Sequence, residues 1–79
     1  MFTESHSFLD GLTMKVSVNG EYLELPAEAT VSVLLKQLKL LPDRVAVEMD
    51  KQIVRRSDWD RAEISAGASL EVVQFVGGG

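Results

Sequence analysis

The sequence has no cysteine. That excludes a disulfide framework, a thiolate nucleophile and any Cys-based metal site. It has one histidine, His6, with no second histidine or cysteine to join it in holding a metal, so a solvated surface imidazole is expected and no metal site. Basic residues are also few: eight Lys and Arg, scattered along the chain, stand against twelve Asp and Glu, giving a net charge of −4. A surface that tracks phosphates needs clustered Lys and Arg, so nucleic acid is excluded as a partner, and a basic groove on another protein suits the chain better. No apolar run approaches the roughly 20 residues of a membrane span. The first residues include Glu4 and Asp10 and lack the positively charged start of a secretory signal. These absences point to the cytoplasm. Proline and glycine are sparse before the last three positions, apolar residues make up 46% and charged residues 25%, and such a composition folds into a globule. At 79 residues the chain makes one small domain, which buries only about 60% of its unfolded surface.

Residues 1–13 show no sustained period and are expected to be a flexible or expression-derived appendage to a domain spanning 14–76. From Met14 to Val18 apolar residues alternate with Lys15 and Ser17, and Asn19-Gly20 follows. Both of those positions tolerate positive φ, which makes this pair the strongest short-range hairpin signal. A second strand is predicted over Glu21–Leu25, with Leu23 and Leu25 on one face, Glu21 turned out and Pro26 closing it. Thr30 is a suitable N-cap for a helix running from Val31 to about Lys39, with Glu28 near its positive end. Val31, Leu34, Leu35 and Leu38 fall at i, i+3, i+4 and i+7, a single apolar stripe to be buried against a sheet.

After Pro42-Asp43, the residues Val45, Val47 and Met49 alternate with Ala46 and Glu48 as a third strand, and Asp50-Lys51 turns the chain into a short return strand, Gln52–Val54. Ser57 is expected to cap one helical turn bearing Trp59, which anchors the segment at the edge of the core rather than stacking on a ligand. Arg55 and Arg56, the adjacent basic pair, read as solvated. A brief edge pairing is expected at Glu63-Ile64. Ala66-Gly67-Ala68 turns the chain into a last strand, Ser69–Val76. There Leu70, Val72 and Val76 share one face with Gln74, and Val73 and Phe75 share the other with Glu71. Only one face of a two-layer domain meets the helix, so one apolar set is left for a partner; the pattern alone leaves open which. Hairpin, helix and three further strands imply an α+β domain. Its mixed sheet has four or five strands with one main helix across one face, and a right-handed crossover brings the last strand beside the first: a β-grasp roll.

The last strand runs straight into Gly77-Gly78-Gly79. Glycine loses the most backbone freedom on ordering, so order is expected to stop near Val76 and leave Gly77, Gly78 and Gly79 as a flexible, side-chain-free arm. Such an arm can enter a narrow channel, and a carboxylate on Gly79 would be unhindered. Gly79 is therefore the candidate reactive position, and Val73, Phe75 and Val76 are the candidate partner-binding residues.

Val18-Asn19-Gly20-Glu21, Thr30-Val31 with Leu34-Leu35, Val45-Ala46-Val47-Glu48, Ile53-Val54 with Trp59, and above all Val73-Gln74-Phe75-Val76-Gly77-Gly78-Gly79 together resemble the ThiS family, the sulfur carriers of thiamine (thiazole) biosynthesis within the ubiquitin-like β-grasp superfamily. The resemblance covers Met14 to Gly79. It implies that an activating enzyme akin to the ubiquitin-activating enzymes adenylates Gly79, and that the carboxylate is then converted to a thiocarboxylate. It also implies thiazole synthase and a sulfur donor such as a cysteine desulfurase as further partners, no cofactor, and a role as protein co-substrate rather than enzyme. Two other classes share this kind of ending: the small sulfur-carrier subunit of a molybdopterin-synthase-like complex, and a ubiquitin-like modifier conjugated through Gly79 to lysine. The Ile53-Val54 strand and Trp59 favour the thiazole carrier.

Overall fold

The computed structural model describes residues 12–75. Alternation of apolar and polar side chains builds five strands: β1 (Thr13–Val18), β2 (Glu21–Pro26), β3 (Val45–Met49), β4 (Gln52–Val54) and β5 (Ser69–Gln74). One helix, α1 (Val31–Gln37), lies between β2 and β3. The strands form a single sheet in the order β2-β1-β5-β3-β4. β1 and β5 are parallel, and every other neighbouring pair is antiparallel. The expected β-grasp roll is thus present, with five strands and with its last strand in the middle.

Both hairpins close through two residues at positive φ, as their twist demands. Asn19 (φ 52°) and Gly20 (φ 85°) join β1 to β2, and Asp50 (φ 51°) and Lys51 (φ 72°) join β3 to β4. Register puts Met14, Val16 and Val18 opposite Leu25, Leu23 and Glu21. Glu21 therefore shares the face of Leu23 and Leu25, contrary to the expectation that it turns to the other side. It stays exposed because it lies at the end of the sheet.

Thr30 caps α1 as its sequence position suggests, its hydroxyl oxygen accepting the Val33 N–H at 3.4 Å. Val31, Leu34 and Leu35 are buried against Val16, Leu25, Val47, Leu70 and Val72, and Leu38 packs at the margin. The helix ends two residues before the expected Lys39. Lys39 sits at φ 61°, its N–H bonds to the Lys36 carbonyl, and the Leu40 N–H bonds to the Leu35 carbonyl. That is the Schellman ending usually built on glycine, here with lysine at the left-handed position.

The segment after β4 also departs from expectation. Its 3-10 turn is Arg56–Asp58, entered through Arg55 with no side-chain cap, so Ser57 lies within the turn and does not cap it. Trp59 is only 4% exposed and belongs to the core rather than its edge, with its indole N–H donating to the Val54 carbonyl at 2.9 Å. The expected pairing near Glu63 exists as a bridge to Thr30. No polar or charged side chain is buried among the described residues.

Candidate functional site

The strand that leads toward the glycine run is held from both sides by the two hairpin turns. On the β1 side the parallel ladder runs through Ser17 N–H to the Ala68 carbonyl and Asn19 N–H to the Leu70 carbonyl. One step further the Asn19 side chain replaces the backbone: its Oδ1 accepts the Val72 N–H at 2.8 Å, and its Nδ2 donates to the Val72 carbonyl at 3.1 Å. On the β3 side, the Asp50 N–H donates to the Ser69 carbonyl at 2.8 Å, and Asp50 Oδ1 accepts the Ser69 N–H at 3.0 Å. The same two residues that turn the hairpins therefore clasp β5. Sequence reasoning saw both as turn formers and missed this second use. The first position of each turn carries a short amide or carboxylate side chain, but nothing local indicates which strand it will meet.

Beyond Gln74 the Phe75 N–H still reaches the Arg44 carbonyl at 2.7 Å, so β5 keeps its direction to the edge of the described chain. Alternation settles what the sequence left open. Leu70 and Val72 are 1% and 8% exposed and face α1, whereas Val73 and Phe75 are each 54% exposed on the opposite, helix-free face. Val73 lies opposite Ala46 of β3. Ile53 of β4, opposite Glu48, adds a further apolar side chain that is 70% exposed. The candidate binding residues Val73 and Phe75 thus belong to one exposed patch that also includes Ile53 and Ala46, two residues that sequence reasoning did not assign to it. Val76, Gly77, Gly78 and Gly79 lie outside the described residues, as does His6.

Other candidates carry less. Trp59 has its ring buried and its N–H used, which removes it as a ligand-stacking platform. Arg55 and Arg56 are exposed. A cleft of about 470 Å³ lies beside α1, with Leu35, Leu40 and Trp59 at its base and Lys36, Arg56 and Asp60 around it. The Ser32 hydroxyl donates to Asp60 there, tying the helix to the following loop. Among the described residues no group of three or more His, Cys, Asp or Glu could hold a metal ion, and no helix is long and apolar enough to cross a membrane.

A sheet whose middle strand carries an exposed apolar patch and continues toward a glycine run is the arrangement on which comparison with known proteins bears. The family model for the ThiS family matches residues 16–79. The chain belongs to the ThiS family. The structure superposes on the crystal structure of the thiamine biosynthesis protein (ThiS) from Geobacter metallireducens with a TM-score of 0.70 and 32% identity, covering 84% of this chain and all of that one. Two curated relatives are each named thiazole synthase. The one from Paramagnetospirillum magneticum is 39% identical over 66 residues, and the one from Magnetococcus marinus is 38% identical over 66 residues. Each match takes in 84% of this chain but only 20% of the relative, so the chain spans about a fifth of the length of these curated proteins. The ThiS match thus takes in α1, the glycine run and all of the sheet except the first three residues of β1.

Proposed function

We propose that this ThiS-family chain is a sulfur carrier for thiamine thiazole biosynthesis, with the α-carboxylate of Gly79 as the group that is activated. The observation that carries the reading is that the family match continues through the glycine run to residue 79. The chemistry requires Gly79 to bear a free carboxylate. A carboxylate resists nucleophilic attack; its oxygen attacks the α-phosphorus of ATP in an activating enzyme, pyrophosphate leaves, and an acyl adenylate forms. The terminal sulfur of a donor's persulfide, such as that of a cysteine desulfurase, then attacks the acyl carbon and displaces AMP. A thiol cleaves the resulting S–S bond and releases the thiocarboxylate. Thiazole synthase is the proposed recipient, a choice supported by the names of the relatives that contain a segment like this one. In this scheme the chain is a co-substrate, and its fold serves to place one carboxylate.

Placement depends on the count of residues from β5. Glycine at 77, 78 and 79 adds reach without a Cβ to obstruct a narrow channel. The open-face residues Val73 and Phe75, with Val76, are the proposed docking surface that fixes the start of that count. Deleting Gly79 leaves a glycine carboxylate of the same intrinsic reactivity but draws it back by about 3.3–3.6 Å. A misplacement of ~1 Å can cost on the order of a hundredfold in a positioned reaction. ATP–pyrophosphate exchange by a ThiS-activating enzyme, measured with the full chain, the Gly79 deletion and a one-alanine extension, is expected to proceed only with the first. Wild-type rates from either variant would remove Gly79 from the chemistry.

A further inference from the structure

On the helix-free face Glu48 of β3 stands directly opposite Glu71 of β5, and Ile53 of β4 stands opposite Glu48 from the other side. Side chains directly opposite in an antiparallel pair have Cβ atoms roughly 4.5–5.5 Å apart, and like charges so placed repel. Among the described residues neither carboxylate is in an ion pair; the one formed there joins Arg61 to Asp58. Lys15 is on the same face, but its ammonium lies over the Tyr22 ring, 5.6 Å from the centroid, on the β1–β2 side. The two glutamates instead sit among apolar neighbours. With Ala46, Ile53 and Val73 they line a shallow depression of about 80 Å³. Small-molecule sites occupy roughly 300–1,000 Å³, so a cofactor is excluded by size. The space suits the stem of one long side chain with a charged head.

We propose that this depression receives an arginine of the activating enzyme, its methylenes lying on Ala46, Ile53 and Val73 and its guanidinium set between Glu48 and Glu71. A protein covering Val73, Phe75 and Ile53 together also covers Glu48 and Glu71 beside them. Without a cation it would bury two like charges side by side, which is strongly unfavourable. Arginine fits better than lysine because its planar fork can serve two carboxylates at once and it is the more weakly hydrated cation. The identity of the partner rests on the carrier reading. In sequence the chain passes from Val73 through Phe75 to Gly79, so under the carrier reading the protein that takes in the glycine run is the one placed to cover this face. An enzyme that brings a carboxylate up to the phosphates of ATP also presents positive charge to an acidic chain.

The test uses the full chain with Glu48→Gln, Glu71→Gln and both together, in ATP–pyrophosphate exchange by a ThiS-activating enzyme at saturating ATP. The expected result is a rise in KM for the carrier, about tenfold or more for the pair, with a flatter dependence on salt, because charge steering and a desolvated charge-assisted contact are lost together. Urea unfolding of the variants should show stability equal to or above that of the parent, since repulsion is relieved. Modification of the enzyme by an arginine-selective dicarbonyl, mapped by mass spectrometry, should show one arginine protected by the wild-type carrier and exposed with the double variant. Wild-type KM and salt dependence in the double variant, or protection of no arginine, overturns this proposal and leaves the carrier reading standing. No exchange with the wild-type chain overturns both.

Discussion

The two faces of β5 are built from similar residues and have opposite fates. Leu70 and Val72 project into the layer beneath α1 and are almost fully covered, while Val73 and Phe75 alternate with Val72 and Gln74 and remain half in solvent. Hydrophobicity alone does not separate the two sets. What separates them is phase: Leu70 and Val72 share a face with Val18, Met49 and Val47 across the ladders, whereas Val73 shares its face with Ala46. A strand that is apolar on both sides is not over-specified for folding. One side supplies the core, and the other is free to meet another protein.

The largest effect that would test this contrast comes from the covered side. Leu70→Ala is expected to cost ~2–5 kcal/mol, read from the urea midpoint at unchanged slope, because a fully enclosed side chain is lost and its cavity persists. A cost below ~1 kcal/mol would mean that the layer under α1 collapses around the gap and that Leu70 is not a core residue in the sense argued.

An intermediate effect is expected at the clasp that holds both faces in register. Asn19→Gly keeps a residue at ease with φ 52° and removes only the side chain, leaving the Val72 N–H and carbonyl without their partner. About 1–3 kcal/mol should be lost, with faster amide exchange at Val72 than at Leu70. Equal protection at both amides would show that the side-chain bonds contribute nothing beyond the regular ladder. The smallest effect belongs to the open side. Val73→Thr keeps the branched shape that suits a strand and should change stability by no more than ~0.5 kcal/mol, while weakening association with the activating enzyme under the proposed function. A destabilisation comparable to that of Leu70→Ala would erase the distinction between the faces.

Much of the fold was legible because its signals are local. Asn19-Gly20 marks a turn by backbone chemistry, the Val31-Leu34-Leu35-Leu38 spacing marks a helix face, and the alternation from Val45 to Met49 marks a strand. The helix end was misplaced because Lys39 takes the left-handed position where glycine is the usual sign, so the sequence showed no stop there. Ser57 misled because the turn at Arg56–Asp58 is set by the burial of Trp59 and not by a cap. Of the candidate site, the apolar set on β5 was visible but its direction was not, since that depends on which face α1 covers. Ile53 and the Glu48–Glu71 pair were invisible as neighbours of Val73 until strand order was known, because β3 and β5 are distant in sequence and adjacent only in the sheet. The role assigned to Gly79 came from composition and family resemblance, not from packing.

The central position of β5 bears on when the molecule becomes recognisable. β1–β2 and β3–β4 are local hairpins, and within the sheet they are joined only through β5, the strand made last among the five. Closing that gap brings Asn19 against Val72, 53 positions along the chain, an entropic cost met only once β5 arrives. Until β5 is in place the two hairpins share no sheet. The patch of Ala46, Glu48, Glu71 and Val73 does not exist in that state, since its halves come from strands not yet side by side. Under the proposed function, a partner that reads this patch therefore inspects completion of the fold before it takes up the glycine run, and an unfolded copy offers glycines with nothing to vouch for them.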